Sequence, residues 1–279
     1  GASARGAEFI GLGGLDSSES IAYAVSADGE AVVGMCTSTA GSEAFRWTRS
    51  DGMVGLGDIN GGEHSSGAFA VSSDGSAITG FGSAETGRAF VRWRIENEMI
   101  EVTYIPVDSF EGSGMGISAD GSTMVGTADG TVEMERAIGA IQWTPDMEDQ
   151  EVLVLDCFPD KSLISKANAI SADGSVIVGP GCDGAINEAC RWTIDSEIES
   201  LGFLSGGESS AAVGVSADGQ VIVGWSASAR GREAFRWTGN GMEGLGDLEG
   251  GDYISKGISV SADGSIIVWF GILFPASSR

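Results

Sequence analysis

Residues 24–34 read AVSADGEAVVG. Close variants return at 70–80 (AVSSDGSAITG), 116–126 (GISADGSTMVG), 169–179 (AISADGSVIVG), 214–224 (GVSADGQVIVG) and 259–269 (SVSADGSIIVW). The turn acids Asp28, Asp74, Asp120, Asp173, Asp218 and Asp263 are spaced by 46, 46, 53, 45 and 45 residues. A period near 45 built from strand-like pieces is the pattern of a propeller or a related β-array. Inside each copy, Asp-Gly separates two short apolar runs. That is a hairpin signal, because glycine accepts the positive φ that a tight turn demands.

Working outward from the hairpin, each unit divides into four strands. Strand a enters the turn and strand b leaves it as a β-branched run, which suits burial on both faces. Strand c is EAFRWT (43–48), RAFVRW (88–93), GAIQWT (139–144), EACRWT (188–193) and EAFRWT (233–238). Phe45 and Trp47 stand two apart and so leave one face, with Arg46 on the other. RAFVRW carries one extra residue, which predicts a bulge near Val91. Strand d is MVGLGDI (53–59), EVTYIPV (101–107), EVLVLDCF (151–158), IESLGFL (198–204) and MEGLGDL (242–248). No segment keeps helical periodicity over ten residues.

The expected fold is therefore all-β: a six-bladed β-propeller of four-stranded antiparallel blades, filling 1–279 as a single domain. The repeats fall near 22–59, 68–107, 114–158, 167–204, 211–248 and 257–279, with 7–15 added to the last. The sixth copy has strands a and b but a poor c and no d. FIGLGGL (9–15) is a strand d with nothing before it. Joining the two predicts a disc closed by the N-terminal strand, which removes exposed edges. Trp269 stands where the other copies have Gly34, Gly80, Gly126, Gly179 and Gly224, and the tail GILFPASSR lacks the strand-c pattern. Phe274 could fill the place of the repeat's phenylalanine. A longer array of seven or eight blades, an open solenoid and a β-prism stay open as alternatives.

Composition narrows the function classes. Hydrophobic residues make up 42% of 279, enough for a core, and the 45 glycines show no period of three, which excludes collagen. Fifteen Lys and Arg against 40 Asp and Glu give a net charge of -25, which repels nucleic acid and anionic lipid. Nucleic-acid partners are not expected. Membrane insertion is not expected either, since the longest apolar run, SIIVWFGILF (265–274), is too short to span a bilayer as a helix. GASARGAEF lacks the charged start and apolar middle of a signal peptide. The cysteines Cys36, Cys157, Cys182 and Cys190 show no CxxC spacing, so zinc is not expected. Cys182 and Cys190 could face one another across neighbouring strands as a disulfide; buried free thiols are the equal alternative.

The stretch EAFRWT…GMEGLGDLEGGDYISKGISVSADGSIIV resembles the bacterial extracellular HAF-repeat family, from about Phe9 to Val268. The hairpin also looks like the Ser-Pro-Asp-Gly hairpin of TolB-type propellers. The resemblance implies a secreted or cell-surface protein with no general enzymatic activity and no catalytic residues to carry over. The family's name-giving histidine is replaced here by Glu43, Arg88, Glu188 or Glu233.

Ligands of such folds usually meet the rim formed by the d–a and b–c loops. Aligning the d–a loops places one acid in each: Glu19, Glu63, Glu111, Asp160, Glu208 and Asp252. Carboxylates around one axis could hold Ca²⁺ through oxygen, with Glu19, Glu63, Glu208 and Asp252 as the ligands; solvated loop acids are the plainer expectation. Otherwise no cofactor is expected. Trp225 precedes a b–c loop and could reach the rim to stack on a sugar. His64, the one histidine, sits in the loop GGEHSSG without a triad around it. The expected function is a binding or scaffold module for a glycan, matrix component or protein. The alternative is a glycoside hydrolase or lyase working with rim carboxylates.

Overall fold

The computed structural model describes residues 10–16, 19–85, 87–105, 111–132, 135–144, 151–155, 165–183, 186–193, 196–248 and 253–272. Its strands form six antiparallel sheets in chain order. The first holds β1 (Ser20–Val25), β2 (Ala31–Thr37), β3 (Ser42–Thr48) and β4 (Gly52–Gly55). The second holds β5 (Gly67–Val71), β6 (Ala77–Ala84), β7 (Gly87–Glu96) and β8 (Met99–Tyr104). The third holds β9 (Glu111–Ile117), β10 (Met124–Val132), β11 (Glu135–Thr144) and β12 (Glu151–Val154). The fourth holds β13 (Ala169–Ile170), β14 (Val176–Asp183), β15 (Ile186–Thr193) and β16 (Ser196–Gly202). The fifth holds β17 (Ser210–Val215), β18 (Ile222–Ser228), β19 (Gly231–Thr238) and β20 (Gly241–Gly244). The sixth holds only β21 (Ser255–Val260) and β22 (Ile267–Gly271).

The hairpin that defines the repeat forms six times. Its glycines, Gly29, Gly75, Gly121, Gly174, Gly219 and Gly264, sit at φ between 71° and 76°. A serine ahead of each acid closes the turn: Ser171 Oγ accepts the Val176 N–H at 2.9 Å and donates to Asp173 at 2.6 Å. The turns are also wired to one another. Ala27 N–H donates to Ser73 O, Ser73 to Ala119, Ala119 to Ala172, Ala172 to Ala217 and Ala217 to Ala262. This relay sets the first strands of successive sheets side by side.

Each sheet packs its face on the next. Val33, Ala44 and Leu56 of the first meet Ile78, Val91 and Trp93 of the second. Phe90 meets Trp143 edge-on at 5.4 Å between the second and third. Val125 and Leu155 of the third join Ile177 and Trp192 of the fourth, and Val176 and Leu201 of the fourth join Ile222 and Trp237 of the fifth. The strand-c tryptophan is thus a wedge between sheets, as large apolar side chains buried on both sides require.

Three expectations change. No bulge lies near Val91: β6 and β7 pair without a break, Gly80 opposite Val91 and Phe81 opposite Phe90. Bulges lie instead in the first strand of five sheets, at Tyr23, Phe69, Met115, Val213 and Ile258, where pairing skips one residue, and in the pairing of β15 with β16 in the fourth. The expected closing strand is not formed among the described residues. Residues 10–15 lie outside any strand, and the sixth sheet has two strands rather than four. Ser20 Oγ nonetheless donates to Gly13 O at 2.9 Å, as Ser66 does to Gly57 and Ser255 to Gly246. The N-terminal segment therefore runs where the exit of a strand d runs elsewhere. Residues 7–9 and Phe274 lie outside the described residues. Finally, Cys190 stands opposite Gly179 and Cys182 opposite Asn187, three pairs apart. At about 3.4 Å per residue that separation is roughly 10 Å, too far for a disulfide.

Candidate ligand-binding site

The d–a loop of the fifth sheet is held against its own strand b. Ala227 N–H donates to Ser209 O at 2.7 Å, Ala229 N–H to Ser205 O at 3.1 Å, and Leu204 N–H to Ser226 Oγ at 3.0 Å. The approach is close enough that a Cβ on Gly207 would lie 1.9 Å from Ala227 O. The loop cannot collapse further, and an open pocket of about 600 Å³ remains beside it. Its lining is Asn187 from the fourth sheet together with Gly206, Glu208, Ser209, Trp225, Ala227 and Arg232. Arg232 lies over the Trp225 ring at 4.3 Å from its centroid. A guanidinium on an indole face is an attractive pairing that holds both groups in place.

The same arrangement recurs with different side chains. In the first sheet, Glu19, Ser20, Ile21, Met35, Cys36, Thr37 and Ser42 line a pocket of about 370 Å³ at the equivalent place. Burial pushes the Cys36 thiol up, and its Sγ donates to Glu43 O at 3.5 Å, so it serves as a buried apolar group. In the second sheet Arg88 lies over Phe81 at 4.1 Å, the same Arg-on-aromatic pair as in the fifth.

The predicted rim residues separate into distinct environments. Glu208 and Trp225 share the larger pocket, and Glu19 lines the smaller one. Glu63 is exposed on its loop. His64 turns to the neighbouring sheet, where its Nε2 is 3.5 Å from Glu43 Oε2. Glu111 opens strand β9 rather than lying in a loop. Asp160 and Asp252 lie outside the described residues. Among the described residues no three His, Cys, Asp or Glu side chains gather as metal ligands would.

Sequence reasoning passed over the acids that shape the rim. Asp58 accepts N–H bonds from Ile59, Ser65 and Ser83 at 2.8–2.9 Å, and Asp247 accepts from Leu248 at 2.8 Å and Ile254 at 2.6 Å. Both follow the Gly-Leu-Gly of strand d, which was the available signal. The acid at the family's histidine position is also structural: Glu233 accepts the Gly246 N–H at 2.9 Å, tying strand c to the exit of strand d. Arg232 and Asn187 were missed because their places depend on hairpin register and on the neighbouring sheet.

No family model matches the chain, and no curated protein does. Solved structures do. A crystal structure of oligogalacturonate lyase from Vibrio parahaemolyticus superposes with a TM-score of 0.66 at 14% identity, covering 94% of this chain and 74% of the other. TolB from Acinetobacter baumannii superposes with a TM-score of 0.52 at 15% identity, covering 82% of this chain and 57% of the other. The chain thus spans little more than half the length of that TolB. Identities this low establish the fold alone: an all-β, propeller-like array of four-stranded sheets. No helix among the described residues is long and apolar enough to cross a membrane.

Proposed function

We propose that the chain is a secreted or cell-surface module, of HAF-repeat type, that binds a carbohydrate at the rim of the fifth sheet. One observation carries this reading: a partly exposed tryptophan, backed by Arg232, lines an open pocket together with the polar side chains of Asn187, Glu208 and Ser209. Flat aromatic faces stack on sugar rings, while amide, hydroxyl, carboxylate and guanidinium groups supply the hydrogen bonds that orient them. The rigid sheet below and the irregular loop above suit recognition. The fold shared with the Vibrio lyase makes uronate oligomers the first glycans to test.

Binding fits the pocket better than carboxylate-pair hydrolysis. That chemistry needs two carboxyls about 5–10 Å apart. Among the described lining residues Glu208 is the only one.

A glycan array probed with the folded chain tests the reading. Trp225→Ala and Arg232→Ala are each expected to weaken the leading hit about tenfold or more, the loss of one stacking or charge-assisted contact. Absence of any hit from a folded sample, or full binding by Trp225→Ala, would overturn it.

A further inference from the structure

The β18–β19 hairpin of the fifth sheet carries two stacked arginines, and the Trp225 pocket uses one of them. The strands pair as far as Ser228 opposite Gly231, so Ala229 and Arg230 form a two-residue turn. A loop meets each arm of this hairpin. Residues 205–209 hold the arm before the turn, through the Ala227 and Ala229 N–H groups. Tyr253 and Ile254 lie against the arm after it: Arg232 bridges to Ile254, and a Cβ on Gly231 would lie 2.3 Å from Tyr253 O. Arg232 lies over the Trp225 ring, and Arg230 lies over the Tyr253 ring, 5.2 Å from its centroid. Both arginines are exposed. Two residues apart, their Cα atoms stand within about 7 Å of one another.

A third stacked arginine shows what these two lack. Arg191 lies over Trp237 at 4.7 Å and also donates its Nε–H to Glu199 at 2.6 Å. Arg230 and Arg232 have no carboxylate partner among the described residues, although acids outnumber bases by 40 to 15 in the chain. The acid beside them in sequence, Glu233, is buried and accepts the Gly246 N–H instead. Glu208 lines the pocket with Arg232 without pairing with it. A guanidinium stacked by its face keeps its N–H groups in its own plane, in the fork that fits a carboxylate or a sulfate. Arg88 is stacked as well, but its ring, Phe81, is buried, and no second stacked arginine stands beside it among the described residues.

We propose that the rim of the fifth sheet takes an acidic glycan, with the acid group of the sugar on Trp225 meeting Arg232 and the acid group of a neighbouring sugar meeting Arg230. Tyr253 is a positioning residue that holds Arg230 in place. The inference rests on the carbohydrate reading of the Trp225 pocket and adds the charge of the ligand and a second contact point outside that pocket. Carboxylate and sulfate share the chemistry that two unpaired guanidinium groups recognise. The net charge of -25 does not forbid such a ligand. At about 0.15 M salt the Debye length is about 8 Å, so acids on distant sheets are screened while the groups in contact are not.

Calorimetric titration of the folded chain tests this with oligomers of one length: an oligogalacturonate, its carboxyl-reduced neutral counterpart and a sulfated galactan oligomer. At least one acidic oligomer is expected to bind about tenfold or more tightly than the neutral one, and the tighter of the two identifies the acid group. Arg230→Gln, at an exposed turn position, is expected to keep the strand signature in circular dichroism and to cut that preference about tenfold, the loss of one charge-assisted contact. Arg230→Lys keeps the charge without the planar fork and is expected to fall between the two. An unchanged preference in Arg230→Gln overturns the inference. So does a neutral oligomer that binds as tightly as both acidic ones; if Trp225→Ala still abolishes that binding, the carbohydrate reading stands without its acidic ligand. Failure of every oligomer to bind, with no hit on the glycan array, removes the carbohydrate reading and this inference together.

Discussion

Asp173 accepts a bond from Ser171 Oγ at 2.6 Å, from the Ser175 N–H at 3.0 Å and from Ser175 Oγ at 2.7 Å. These donors, the Ser171 hydroxyl foremost, hold its carboxyl down at about 2. Asp263 is likewise held at about 2 by Ser261 and Ser265, and Asp28, Asp74, Asp120 and Asp218 are lowered by their own turn serines. A carboxyl with a depressed folded pKa stabilises the fold fully above its unfolded pKa, near 4, and that contribution is lost as pH falls through the folded value. Urea midpoints are therefore expected to fall from about pH 4 down to about pH 2. Paired Asp120→Asn and Asp173→Asn substitutions should flatten that slope. An unaltered slope would mean the turn acids are not its source. The turn itself was legible, since Ser-x-Asp-Gly supplies the leading hydroxyl, the carboxylate and the glycine at its centre. The Trp225–Arg232 pair was not, because nothing local in the sequence reports that a residue seven positions on crosses the hairpin to cover the ring.

Strand b repeats a glycine at Gly34, Gly80, Gly126, Gly179 and Gly224, and the reason lies one strand away. Strand a bulges just there, and its carbonyl crowds the position: a Cβ on Gly126 would sit 2.0 Å from Ser113 O, and one on Gly80 1.9 Å from Gly67 O. The constraint is steric contact with backbone, which cannot rotate aside as a side chain could. Gly126→Ala is expected to cost roughly 2–4 kcal/mol in chemical denaturation. Gly139→Ala on the neighbouring β11, where the added carbon meets only Val154 Cγ1 at 3.4 Å, should change stability by less than about 1 kcal/mol. Equal effects at the two sites would refute the close-approach account. The repeated glycine was visible in the sequence as a strand boundary, but its cause was not. The bulge falls on Tyr23, Phe69, Met115, Val213 and Ile258, apolar residues that read like any others of a β-strand, so nothing in their chemistry marks the skipped pair. The extra residue in RAFVRW misled for a related reason. It extends the hairpin, so that Val91 stands opposite Gly80 as Phe45 does opposite Gly34, and the ladder itself stays regular.

At the scale of the molecule, repetition made the array legible and the ends illegible. Five four-stranded sheets follow from the period because each is specified by its own hairpin, strand c and strand d. Whether the first and last sheets meet depends on twist accumulated over the whole series, which no single repeat encodes. Charge is the other property that exists only at this scale. At a balance of -25, acidic groups repel one another more in the folded chain than in the expanded one. Screening should relieve that repulsion, because the Debye length shrinks from about 30 Å at 0.01 M salt to about 8 Å at 0.15 M. The melting temperature is expected to rise by several degrees over that range in calorimetry. Sodium and potassium chloride should act alike, since screening depends on ionic strength. A rise confined to calcium salts would instead point to a specific cation site among the rim acids, and a salt-independent melting temperature would show that the acids are spaced widely enough to ignore one another.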